Sequence, residues 1–192
     1  MANVNAPFGL RPVRTLAGSP FNEQAERVYI PSTDGSAYYI GDVVNSAGSA
    51  DANGVPSVSK STGTGTMRGV IVGFDPDPAD QSSNSMHVPA TKTRGYYAMI
   101  VQDPNIVYQI QGDSTVFAAA DIGSNADVTV AAPSGIGINS ASVLNGGTIL
   151  TTSTLSLRIL GLAKVQGNAF GAYAIFDVVI NNSEFRTGVA GV

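Results

Sequence analysis

The 192-residue chain contains no cysteine, no tryptophan and a single histidine, His87. Without thiols there are no disulfides and no thiolate metal ligands, which suits a reducing compartment. A zinc centre would have to be assembled from one imidazole and carboxylates, a poor donor set, so no metal and no cofactor is expected. Charge is scarce too. Asp, Glu, Lys and Arg make up 12% of the chain, about half the usual share of roughly 25%. Net charge is −4, and no two basic residues are adjacent. Phosphate neutralisation needs clustered Lys and Arg, so nucleic acid is not an expected partner. No apolar run approaches the ~18 residues of a spanning helix, which argues against a membrane. No basic segment followed by an apolar run marks a secretory leader.

What is present is 43% apolar residues, enough for a folded core. They are set among Gly, Ser, Thr, Asn and Ala. The surface built from these is neutral and polar, with little repulsion between copies, and suits a protein packed into an assembly.

The opening stretch NAPFGLRPVRTLAGSPF, residues 5–21, has neither a helical nor a strand period. Pro7, Pro12 and Pro20 each remove a donor and push the residue before them toward extended geometry. Residues 1–26 therefore read as an extended N-terminal arm that can be removed without unfolding the body. A solvated tail gains nothing from Phe8, Leu10 and Phe21, so these are the expected apolar anchors on another surface. Arg11 and Arg14 are the expected partners of carboxylates there.

Beyond the arm, strand signals dominate residues 27–192, read as a single all-β domain. RVYI (27–30), AYYIGDVV (37–44, broken at Gly41), MRGVIVGF (67–74), GYYAMIVQ (95–102) and NIVYQIQG (105–112) are the clearest early strands. Residues 45–65 form a Ser/Gly/Ala-rich hairpin excursion. STVFAAADIG (114–123) is the one expected helix, with Ser114 or Thr115 as cap and Gly123 as terminator. Late in the chain, TLSLRIL (154–160) and YAIFDVVI (173–180) alternate cleanly and are joined by GNAFGA as a hairpin. Ala174, Phe176, Val178 and Ile180 share one face, so Asp177 on the other must be wet or paired. Many short strands with a single helix imply a jelly-roll-like sandwich or barrel.

Chemical motifs are weak. His87 lies in a strand with no Gly-x-Ser-x-Gly elbow elsewhere, and reads as structural. Asp75, Asp77 and Asp80 crowd together in DPDPAD, but the spacing is that of a proline-rich turn rather than a calcium loop. GTGTMRG (63–69) lacks the Gly-Lys-Ser/Thr ending of a phosphate loop. No catalytic residue is assigned. In the pairs Tyr38–Tyr39 and Tyr96–Tyr97 one ring of each is core; the outward members, Tyr39 and Tyr97, are candidate interface residues.

The segment from NAPFGLRPVRT through AYYIGDVV, with the closing LRILGLAKV and YAIFDVVINNSEF, resembles virion structural proteins of tailed bacteriophages. The likeness is nearest to head decoration, or cement, proteins. The resemblance implies a non-enzymatic β module on the exterior of the capsid, made in the host cytoplasm. It would bridge neighbouring major capsid subunits and associate with itself as a dimer or trimer. The alternatives are another virion component, at the head–tail junction or tail, and a carbohydrate-binding β-sandwich.

Overall fold

Period-two alternation becomes strand almost everywhere in the computed structural model, which describes residues 3–76, 86–134, 137–186, 188, 190 and 191. In chain order the strands are β1 (Arg11–Thr15), β2 (Glu26–Ile30), β3 (Tyr38–Tyr39), β4 (Val43–Ala50), β5 (Pro56–Lys60), β6 (Gly69–Phe74) and β7 (His87–Val88). They continue as β8 (Tyr96–Val101), β9 (Ile106–Gln111), β10 (Asn125–Ala126), β11 (Val128–Thr129), β12 (Val143–Leu144), β13 (Leu157–Leu162) and β14 (Ile175–Ile180).

Most of the strands fall into two β units, and the buried side chains form two hydrophobic clusters. One is a closed barrel in the order β2-β5-β4-β6-β8. Its pairs are antiparallel except β2 with β5, which meet in parallel at Tyr29 and Ser57. Val28, Ile30, Val44, Val58, Ile71, Ala98 and Ile100 fill it. The other is a five-stranded sheet in the order β1-β9-β14-β13-β10. The sheet's inner face carries the alternating residues of β14, and Phe176 packs on Phe117 with ring centroids 4.9 Å apart. Tyr108, also wholly buried, donates to the Val101 carbonyl and links this face to β8. The all-β expectation is met, with five strands in a closed barrel and five in a separate sheet.

Three local expectations are realised directly. The 45–65 excursion is the β4–β5 hairpin, whose tip is tied by Asp51 Oδ1 accepting from the Asn53 and Val55 amides at 2.8 Å each. β13 and β14 form the late antiparallel hairpin. Asp177 is paired: Arg14 Nη2 lies 3.3 Å from Oδ2 and Gln109 Nε2 donates to Oδ1.

Two others are corrected. The N-terminal segment is extended but not free. Arg11–Thr15 is an edge strand hydrogen-bonded to β9, with Arg11 opposite Gln109 and Thr15 opposite Ile106. Pro12 is tolerated because an edge strand needs donors on one side only, and the pairing irregularity between Pro12 and Arg14 lies beside it. The helix expected over 114–123 is reduced to a 3-10 turn at Ala119–Asp121. Phe117 goes into the core, and carboxylates satisfy the flanking amides: Asp113 takes Thr115 N–H and Asp121 takes Ala118 N–H. A helix this short gains too little from its alanines to compete.

Candidate interaction surface

Gly9 and Gly41 bring the N-terminal segment onto the barrel. Both have left-handed backbones, φ +70° and +90°. A Cβ on Gly41 would stand 2.7 Å from the Phe8 carbonyl oxygen, and one on Gly9 would stand 2.6 Å from that of Gly41. Only glycine permits this approach. Leu10 N–H then donates to the Gly41 carbonyl at 3.0 Å, and the Leu10 side chain is 1% exposed. After β1 the chain doubles back, with Thr15 N–H on Ser19 O and Phe21 N–H on Val13 O. Between this doubled segment and strands β6 and β8 lies an open groove of about 610 Å³. Its lining is mostly apolar, including Phe8, Leu10, Phe21, Ile71 and Met99, and Arg11 and Glu23 are the charged members among the described residues.

Nearer the terminus, residues 3–8 cross the outer face of the sheet and are pinned by Gln111, whose side chain is nearly buried. Its Oε1 accepts from Ala6 N–H at 2.9 Å and its Nε2 donates to Val4 O at 2.8 Å. Asn3 Nδ2 donates to Ala169 O and Ala172 O in the β13–β14 connection. A second groove of about 420 Å³ lies here, and among the described residues no charged one lines it. This end of the sheet gathers exposed apolar side chains: Val4 at 76%, Val165 and Phe170 at 43%, and Val116 at 77%. The backbone bond from Phe117 N–H to Gly171 O brings the Val116 turn alongside.

The expected anchors are therefore brought together, but on the chain's own body. Leu10 is core. Phe8 and Phe21 are half-buried and line the groove. The Arg11 guanidinium lies 4.8 Å from the Phe8 ring centroid and donates to Gln109 Oε1 at 3.0 Å. Arg14 is taken by Asp177. Tyr39 and Tyr97 do face outward, opposite the core-side Tyr38 and Tyr96. Tyr39 stacks on His87 with centroids 5.5 Å apart and planes 7° from parallel. Tyr97 donates to Asp51 Oδ2 at 2.6 Å, and Arg27 covers its ring at 3.7 Å while bonding Asp75 at 2.7 Å. Asp75 is thus an ion-pair partner; Asp77 and Asp80 lie outside the described residues. Sequence reasoning missed Val116, Val165, Phe170 and Phe185. The available signal was an isolated apolar residue inside a Gly/Asn/Gln/Ser-rich connection, as in VQGNAFGA, where no strand pattern claims it.

One end of the barrel holds a compact ionic network. Tyr38, wholly buried, donates to Asp34 Oδ2 at 2.6 Å. Lys92 has a fully buried ammonium arm and donates to the Asp34 and Ser36 carbonyls. Burial pushes the Lys92 pKa down, and Asp34 only partly restores it. For Asp34, burial is the largest single influence and acts upward. The hydrogen bonds from Tyr38 and Ser36 together with Lys92 outweigh it, so the carboxyl is held below its ordinary range. The same bond and, first, burial drive the Tyr38 phenol far upward. A carboxyl depressed in the fold stabilises above its unfolded pKa of ~3.9, and that contribution is lost as pH falls through the folded value. Wild type should therefore lose stability below about pH 4 more steeply than Asp34→Asn, measured as urea midpoints across the acid range. Parallel acid limbs would remove Asp34 from the explanation. Beside it, Lys60 Nζ lies 2.8 Å from Asp42 Oδ2; Asp42 is completely buried and its Oδ1 has no hydrogen-bond partner. Among the described residues no three His, Cys, Asp or Glu side chains gather in a way that would hold a metal.

No family model matches the chain, and neither a curated protein nor a solved structure does so.

Proposed function

We propose that the protein is a non-enzymatic virion component that binds the outside of a bacteriophage capsid and bridges neighbouring shell subunits. The observation that carries the reading is the apolar end of the sheet, where Val4 and Val165 line a groove with no charged side chain among the described residues and Val116 and Phe170 also stand in solvent. Contiguous exposed apolar surface marks protein contact sites. The low charge of the chain and its resemblance to head decoration proteins point the same way. Contact is made by a preformed surface rather than by a trailing arm, so little ordering entropy opposes docking. Many equivalent weak contacts around a shell then add up.

Purified protein mixed with undecorated, expanded heads is expected to bind at micromolar concentration, and Phe170→Ser to weaken that binding by about tenfold or more. Absence of wild-type binding would sink the reading. Localisation at the neck alone, by electron microscopy, would transfer it to a head–tail or tail component.

One observation favours a second reading, carbohydrate binding. Tyr29 and Tyr97 lie side by side on the barrel exterior, 5.5 Å between centroids, with Arg27, Asp51 and Asp75 around them. Saturable binding on a glycan array, abolished by Tyr97→Ala, would establish it.

A further inference from the structure

Phe185 is 56% exposed at the tip of a turn held by four hydrogen bonds. Ser183 and Arg186 bond each other in both directions, Phe185 N–H donates to Ser183 Oγ, and Glu184 N–H donates to Met67 O. In sequence Phe185 is flanked by an acid and a base, Glu184 and Arg186, and Arg186 donates to the Ile180 carbonyl at 3.0 Å and to Asn105 Oδ1 at 3.4 Å. Glu184 also takes the Ser46 N–H and hydroxyl, at 2.8 and 2.5 Å, which fastens the turn to the barrel. A rigid aromatic knob of this kind loses little freedom on docking.

The 610 Å³ groove has the inverse character. Its volume is within the ~300–1,000 Å³ of ligand-accepting clefts. Its floor is apolar, and its two charges are one base and one acid. Among the described residues neither Arg11 nor Glu23 has an ion-pair partner. Glu23 is held in the left-handed region at φ +60°, an uncommon and strained backbone for a non-glycine residue. An apolar anchor flanked by acid and base matches a slot flanked by base and acid.

We propose that this groove receives the 184–186 turn of a second copy of the chain. Phe185 enters the slot, Glu184 faces Arg11 and Arg186 faces Glu23. Knob and slot are different parts of the surface, so the contact is heterologous and either closes into a ring or extends into a row. It needs no capsid, so its failure and failure of the head-binding reading are separate results.

Light scattering from micromolar to near-millimolar protein is expected to show a mass rising above the monomer's 19.6 kDa. Phe185→Ser should return it to the monomer. Glu23→Arg, on an exposed residue, should weaken association about fivefold to tenfold. Adding Arg186→Glu to it should restore association. A monomer mass at every concentration overturns the proposal. So does full assembly by Phe185→Ser, or a double reversal that does not recover.

Discussion

Deleting residues 3–20 is expected to cost the protein several kcal/mol and, at moderate temperature, its fold. The segment supplies β1, which covers one edge of β9, and Leu10, which is 1% exposed in the main core. Leu10→Ala alone should cost about 2–5 kcal/mol by lost transfer free energy and the cavity left behind. The deletion adds the loss of the β1 ladder, of the Gln111 bonds to residues 4 and 6, and of the Arg14–Asp177 pair. It also uncovers an unpaired β9 edge, so aggregation should accompany the lowered stability. Urea denaturation checks both variants. An unchanged midpoint in the deleted chain would show the segment to be the detachable arm that its prolines suggest.

The second large effect is expected at the barrel's ionic end. Lys60→Met leaves the Asp42 carboxylate wholly buried, with the Tyr39 amide as its remaining donor. Breaking a buried pair from one side typically costs about 3–5 kcal/mol, because the surviving charge is neither solvated nor matched. Asp42→Asn in the same chain removes that charge while keeping an acceptor for Tyr39 N–H, and should recover most of the loss. A single variant costing under about 1 kcal/mol would mean that Lys60 does not compensate Asp42.

Much of the sheet could be read from residue order alone, because one buried face writes itself into alternation. Ala174 just before β14 and the three inward residues of the strand, Phe176, Val178 and Ile180, are all apolar, so the polar Asp177 had to be outward and matched, as it is by Arg14 and Gln109. The same logic separated Tyr38 from Tyr39. What resisted was everything decided between distant segments. Pro12 reads as a strand breaker, yet it sits on the outermost strand, where a missing donor costs nothing. Alanines at 118–120 favour a helix, yet burial of Phe117 overrides so small a propensity. Barrel closure depends on the parallel meeting of β2 and β5, which no local pattern announces. The exposed apolar residues were hidden for a related reason: Val165, Phe170 and Phe185 lie in connections, where periodicity has nothing to say.

The pairing of β1 with β9 also has a consequence in time. Arg11 and its partner Gln109 are 98 positions apart. At typical translation speeds of about 5–20 residues per second, the first strand leaves the ribosome roughly 5–20 s before the residues that will hold it are made. During that wait Phe8, Leu10 and Phe21 have no shelter on their own chain. A nascent polypeptide of this protein should thus be vulnerable to chaperone capture and proteolysis around residues 8–21, and safer there once the ninth strand has emerged.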